Sequence, residues 1–253
     1  MRTAAIYDIH GNLPALEAVL REIRQVGVDR VVVGGDVVPG PMVREILICL
    51  ADLKVPVQFI QGNCEVAVLA EMAGGDPGPL PEQAREEVRW TAQQLQPVDE
   101  ALFASWPKTV CLDIGGLGAV LFCHGTPRHE NECFTRLTPE DRLLPIFQGL
   151  DVSVVVCGHT HMPFDRMVGR TRVVNAGSVG MPFGRAGADW LLLGPHVELR
   201  HTSYDLASAA ERIRDTKYPQ AQDFAAHYVL NPPSEDQMLE VFARAELKYG
   251  DRQ

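Results

Sequence analysis

Thr3-Ala4-Ala5-Ile6-Tyr7-Asp8-Ile9-His10 begins as a short apolar run and stops abruptly at two polar residues, Asp8 and His10. Residues 3–7 fit a buried strand. Beyond them the period changes: Leu16, Val19, Leu20 and Ile23 recur at helical spacing over residues 14–26, with Pro14 suited to a first helical turn. The same alternation continues downstream. Residues 30–33 read as a second strand ending in Gly34-Gly35-Asp36, residues 42–53 as a second helix, and residues 57–60 as a third strand followed by Gly62-Asn63. Strand, helix, strand, helix, strand predicts a parallel sheet with right-handed crossovers.

The pattern shifts further along. Residues 73–81 are rich in Gly and Pro and read as a loop, with helical stretches at 82–95 and 99–104. This part, about residues 66–106, has no apolar core of its own and reads as an insertion on the same domain. Residues 110–114 and 118–123 form a predicted hairpin around Gly115-Gly116, residues 139–148 a helix, and residues 152–157 a buried strand. Residues 172–174, 190–193 and 197–202 are predicted strands whose short links favour antiparallel pairing. From Leu206 the chain reads as helical, interrupted at Pro219 and Pro232-Pro233. The expectation is an α/β fold: a four-layer α-β-β-α sandwich of two mixed sheets flanked by helices. Residues 1–205 would make one domain, with residues 206–253 a helical extension packed on it.

A chain of 253 residues can bury such a core without disulfide staples. The formal net charge of -10 argues against a nucleic-acid partner, which needs clustered Lys and Arg. It leaves room for a small phosphate substrate, because a bound cation inverts the local charge. The six cysteines show no CxxC pair, and Cys111, Cys123 and Cys157 sit in apolar runs as small buried thiols would. A reduced, cytoplasmic protein follows as the expectation. The first residues turn polar too quickly for a signal peptide, and no run approaches membrane-spanning length.

Metal-ligand residue types appear where the apolar runs end: Asp8 and His10, Asp36, Asn63, His124, then His159 and His161. In an α/β sheet such positions gather outside the carboxyl ends of the strands. Taken singly, each has a plain explanation as a turn residue or a structural histidine. Taken together they read as a metal site. Imidazole nitrogen mixed with Asp and Asn oxygen, without a thiolate pair, suits Mn²⁺, Fe or Zn²⁺. The candidates are too many for one tetrahedral ion. Two divalent ions about 3.5–4 Å apart, sharing a carboxylate, is the arrangement used for phosphoryl chemistry.

Asp8-Ile9-His10, Gly35-Asp36, Gly62-Asn63, His124 and Gly158-His159-Thr160-His161, in that order, resemble the calcineurin-like metallophosphoesterase superfamily. Asn175-Ala176-Gly177-Ser178-Val179-Gly180 resembles a further signature of its bacterial members. The resemblance implies that Asp8, His10 and His161 hold one ion, that Asn63, His124 and His159 hold the other, and that Asp36 bridges them. It implies a metal-bridging hydroxide attacking phosphorus in line, with Mn the leading metal and Asp36, His124 and residue 64 in catalytic positions. One residue departs from the family pattern. Many members carry His after Gly-Asn, where it assists the leaving group; this chain reads Gly62-Asn63-Cys64-Glu65. Cys64 offers only a weak thiol donor, or simply fills space. The change resembles a branch of small bacterial phosphodiesterases and points to a phosphodiesterase of small or nucleotide-like phosphate esters. A phosphomonoesterase, a dinucleoside polyphosphate hydrolase and a non-catalytic scaffold of the same fold are the alternatives. Asn63, Arg128, His129 and Arg185 are candidates for touching the substrate, although the last three also fit solvated loop positions. Asn175 and Ser178 could order the loop beneath the metals or serve turn chemistry alone.

Overall fold

The structure, a computed structural model, describes residues 1–248. The final residues of the expected C-terminal extension, 249–253, lie outside the described residues. Three strand–helix units open the chain: β1 (Thr3–Ile6) and α1 (Leu13–Val26), β2 (Arg30–Val33) and α2 (Val43–Ala51), β3 (Val57–Phe59) and α3 (Asn63–Met72). Two further helices follow, α4 (Glu82–Gln94) and α5 (Pro97–Ser105). The hairpin β4 (Thr109–Ile114) and β5 (Gly118–Cys123) leads to α6 (Glu140–Phe147) and then to β6 (Val154–Cys157), β7 (Phe164–Val168), β8 (Thr171–Asn175), β9 (Ala188–Leu193) and β10 (Val197–Thr202). The C-terminal part holds α7 (Leu206–Arg214), α8 (Ala221–Phe224) running into a π-helical stretch at Ala225–Leu230, and α9 (Glu235–Ala243).

Two five-stranded sheets result, ordered β10-β9-β1-β2-β3 and β4-β5-β6-β8-β7. In the first, β1, β2 and β3 run parallel, with Ala4 opposite Val31 and Val32 opposite Gln58, while β9 and β10 add antiparallel beyond β1. In the second, β5, β6 and β8 run parallel, flanked by antiparallel β4 and β7. Both sheets are therefore mixed.

Strand alternation builds the four layers. Ala5, Tyr7 and Val32 of the first sheet meet Val120, Phe122, Val154 and Val156 of the second in one inter-sheet cluster. Their neighbours Ala4, Ile6, Val31 and Val33 face the other way, onto Leu16, Val19 and Ile46 of the helices. On the far side, Val155, Cys157 and Val173 pack beneath Leu143, Ile146 and Phe147 of α6. Val88 of α4, Phe103 of α5 and Trp106 just after it bury into the same cluster as Leu16. The C-terminal helices bury Ala209, Ile213, Tyr218 and Phe224 among themselves and against Met42, Trp90 and Met181.

Some sequence expectations are corrected. Helix α3, which the sequence reading did not delimit, begins at Asn63, a candidate ligand. Strand β7 has no counterpart in the sequence reading. Residues 172–174 belong to β8, which pairs parallel to β6; the antiparallel partner is β7. Cys111 is exposed rather than buried, because β4 is an edge strand and residue 111 points away from the inter-sheet core. Among the described residues, no helix is long and apolar enough to cross a membrane.

Candidate metal centre

Every candidate ligand sits just beyond the carboxyl end of a strand: Asp8 and His10 after β1, Asp36 after β2, Asn63 after β3, His124 after β5, His159 and His161 after β6. The two sheets bring these ends to one rim. The local backbone there is unusual. Of the six non-glycine residues with positive φ among the described residues, five are Asp8, His10, Asp36, His159 and His161. A side chain in that region costs on the order of 1–3 kcal/mol, and such strain clusters at functional sites. Close backbone approach is secured by glycines: a Cβ on Gly62 would lie 2.1 Å from Asp36 Oδ1, and one on Gly158 would lie 2.5 Å from Asp8 Oδ2.

Main-chain hydrogen bonds hold the strained turns. Asp8 N–H donates to Gly35 O at 3.1 Å and His10 N–H to Asp36 O at 3.0 Å. From the other side, the loop after β8 clasps the site. Ser178 Oγ donates to Asp8 O at 2.7 Å, and Asn175 Nδ2 donates to Gly158 O at 2.6 Å and Thr160 Oγ1 at 3.1 Å. The Asn175–Gly180 motif thus orders the two ligand turns it lies beneath.

The side chains converge in two neighbouring groups, Asp8–His10–His161 and Asp36–His124–His159, within each of which the ligand atoms lie inside 4.8 Å of one another. A third group, His10–Asp36–Cys64, shares members with both. Asp8 Oδ1 lies 3.3 Å from His161 Nε2, 3.7 Å from His124 Nε2 and 3.8 Å from His10 Nε2. Asp36 Oδ2 lies 3.3 Å from His124 Nε2 and 3.9 Å from His10 Nε2, and Asn63 Oδ1 is 3.0 Å from His124 Nε2. Asp8 is fully buried, yet its Oδ1 has no hydrogen-bond partner among the described residues. A buried carboxylate oxygen left in this state calls for a cation. The outward nitrogens agree: His124 Nδ1 pairs with Gly34 O and His161 Nδ1 with Met181 O, both at 2.9 Å, which turns each Nε2 inward as a metal-binding imidazole requires. The residues present therefore fit divalent metal ions.

The electrostatics point the same way. Burial would raise Asp8, but His161 and His124 outweigh it and hold the carboxyl below its usual range. Burial is likewise overcome at Asp36, chiefly by His124, and its carboxyl is strongly lowered. Burial and the neighbouring His161 push His10 down to about 4; burial and His124 push His159 down to about 3. Burial alone would lower His124 too, yet Asp36 and Asp8 carry it up to about 10. The two buried carboxylates thus favour positive charge at this point, which a divalent cation would supply.

The structure brings Asp8, His10, Asp36, Asn63, Cys64, His124, His159 and His161 together. Cys64 N–H donates to Asp36 Oδ1 at 2.9 Å, and its thiol is pushed well up by burial and then by Asp36, so it stays neutral. The Arg128 guanidinium grips the buried Glu132 with two bonds of 2.7 and 2.6 Å. His129 Nδ1 accepts the Asn131 N–H at 3.0 Å, and Arg185 is exposed on the loop beyond Gly184.

Three features escaped the sequence reading. Glu65 is fully buried and accepts the N–H groups of Asp36 at 2.8 Å, Val37 at 2.7 Å and Gly62 at 2.7 Å, clamping the Asp36 turn to the start of α3. Its place three residues after Gly62 is a capping-box spacing that could have flagged it. Cys133 Sγ lies 3.1 Å from His159 Nε2. Glu87 of α4 hydrogen-bonds Tyr218, which ties α4 to the C-terminal part of the chain, and burial pushes its carboxyl up to about 7.

Residues 1–194 match the family model described as the calcineurin-like phosphoesterase superfamily domain. The uncharacterized protein MJ0912 of Methanocaldococcus jannaschii is 26% identical over 245 residues, covering 86% of this chain and 93% of that protein. Among solved structures, a metallophosphoesterase from Sphaerobacter thermophilus aligns with a TM-score of 0.67 and 26% identity over 89% of this chain and 99% of its own. The hypothetical protein PH1004 from Pyrococcus horikoshii aligns with a TM-score of 0.77 over 92% and 99%, and at 20% identity this likeness speaks to the fold alone.

Proposed function

The chain belongs to the calcineurin-like phosphoesterase superfamily and is a metal-dependent phosphoric ester hydrolase, and from that premise we propose that it is a phosphodiesterase working with two divalent ions, Mn²⁺ first among them, on a small or nucleotide-like phosphate ester. The observation that carries this reading is the unpaired, fully buried Asp8 Oδ1 facing His10, His124 and His161 across a rim shared by both sheets. Asp8, His10 and His161 would hold one ion, Asn63, His124 and His159 the other, and Asp36 both. Bound divalent ions would supply charge stabilisation at the phosphoryl oxygens and an activated water at neutral pH.

The chain's own groups then set the rest. Glu65 holds the Asp36 turn, so that one carboxylate can face both ligand groups. Cys64 stands where a proton donor to the leaving group would be most useful, but its thiol is neutral and a weak donor. Esters whose leaving group departs without a proton are favoured as substrates, which supports diesters with good leaving groups over monoesters. The acidic balance of the chain fits a small substrate better than a nucleic acid. We place residues 1–205 in the catalytic domain, with the inserted helices and the C-terminal helices packed on it. Six free cysteines fit a reducing compartment, the cytoplasm. The reading is tested with a matched nitrophenyl diester and monoester assayed with added Mn²⁺. Faster hydrolysis of the diester is expected; a monoester turned over faster at equal metal content contradicts it.

A further inference from the structure

The outward nitrogens of the histidines at the centre have unequal partners. His124 and His161 each set Nδ1 against a backbone carbonyl at 2.9 Å, Gly34 O and Met181 O. His159 has no such carbonyl at its outward nitrogen. Its Nε2 lies 3.1 Å from Cys133 Sγ, which leaves Nδ1 for the centre. Cys133 is buried, and it belongs to none of the groups whose ligand atoms close within 4.8 Å.

Cys133 is itself held from a distance. Its carbonyl accepts the Leu247 N–H at 3.0 Å, and it bridges to Glu246 in the described C-terminal stretch. Glu246 in turn pairs with Thr138 and Arg142, at the other end of the loop that carries Cys133. Leu247 is buried in the cluster of Phe134, Phe164 and Cys157. The loop and the C-terminal stretch thus brace the thiol against the imidazole.

We propose that Cys133 is a positioning residue for the metal centre: its sulfur accepts the His159 Nε2–H and so fixes the ring with Nδ1 toward the second ion. This rests on the two-ion reading above. Metal-binding histidines depend on the partner of their other nitrogen, whose removal costs about 10–100-fold in metal affinity. A sulfur is a weak acceptor, so the ion held by His159 is the more easily lost of the two.

The test is retention of Mn²⁺ by the loaded, full-length protein against a graded chelator, in wild type, Cys133→Ala, Cys133→Ser, His159→Ala and the Cys133→Ala/His159→Ala double variant. One of two Mn²⁺ ions should be held about 10–100-fold more weakly in Cys133→Ala, with the other unchanged. Cys133→Ser, whose hydroxyl can still accept the N–H, should recover most of the loss. The double variant should retain Mn²⁺ as His159→Ala alone does. Unchanged retention of both ions in Cys133→Ala overturns the proposal and leaves the two-ion reading standing. Equal weakening of both ions, with no recovery in Cys133→Ser, shows a general packing defect and also overturns it. If wild type holds a single Mn²⁺, the two-ion reading falls; the Cys133 assignment then stands if Cys133→Ala and His159→Ala weaken that ion non-additively, and falls if Cys133→Ala does not.

Discussion

Apart from His124, whose Nδ1 also meets a backbone carbonyl, the two halves of the candidate centre are held by different means. Asp8, His10 and His161 sit in strained turns held in large part by the main chain: Gly180 N–H donates to Asp8 O alongside the Ser178 side chain, and His161 sets Nδ1 on a carbonyl while its ring stacks on Phe183 at 5.1 Å. Asn63 and His159 depend more on side chains. Asn63 opens a helix whose start is clamped by Glu65, and His159 leans on a thiol. Main-chain grips survive most substitutions, whereas side-chain grips are lost with one residue. The second half is therefore where variation in sequence can most readily retune the site.

The largest expected effect falls where the halves meet. Asp36→Asn removes the one carboxylate proposed to serve both, and should lower kcat/KM by about 10³-fold or more. With metal content matched, that loss should exceed those of Asp8→Asn and His161→Ala. If Asp36→Asn retains more activity than either, Asp36 does not join the halves.

Next comes selectivity within the second half. Cys64→His restores an imidazole beside Asp36, and positioned general acids contribute about 10²–10⁴-fold. The ratio of monoester to diester hydrolysis should rise by about 10²-fold, near the lower end of that range. Cys64→Ala should leave the ratio near wild type. A ratio unchanged in Cys64→His, with both ions bound, reduces residue 64 to a space filler. The assays need reductant throughout, because oxidation of the thiol would alter the same position.

A smaller effect sharpens the contrast between the grips. Glu65→Gln exchanges an acceptor-only carboxylate for an amide that offers one oxygen to the N–H groups of Asp36, Val37 and Gly62. Leaving a buried N–H unpaired costs about 1–3 kcal/mol, read as a lower denaturant midpoint. Mn²⁺ retention should fall mainly for the ion assigned to Asn63, His124 and His159. Equal loss from both halves would mean that Glu65 supports the whole rim. The smallest effect lies away from the centre. Arg212→Ala breaks the exposed pair with Glu17, 2.7 Å apart, and should shift stability by no more than about 0.2–1 kcal/mol, with catalysis unchanged.

The candidate ligands could be picked out because their residue types stand where apolar runs end, and an α/β sheet gathers those ends on one rim. The four-layer order followed from the alternation of strand and helix. What escaped the sequence has physical causes. Helix α3, Asn-Cys-Glu-Val-Ala-Val-Leu-Ala-Glu-Met, is apolar around most of its surface and shows no clean helical period. Strand β7 exposes Asp165 and Met167 beside a turn, so its five residues look like loop. The parallel pairing of β8 with β6 was hidden because the chain first makes the antiparallel strand β7 between them. Cys133 meets a partner 26 residues away, which no local spacing announces, and the contacts of Glu65 with Asp36 and Val37, 29 and 28 residues away, lie beyond what its capping-box spacing could have flagged.

The central claim is that one rim, built by both sheets, holds two ions. Elemental analysis of the Mn²⁺-reconstituted chain tests it most directly. The account predicts two equivalents per chain in wild type, and about one in His159→Ala, whose loss leaves the main-chain-held half intact. One equivalent or less in wild type and His159→Ala alike would contradict it.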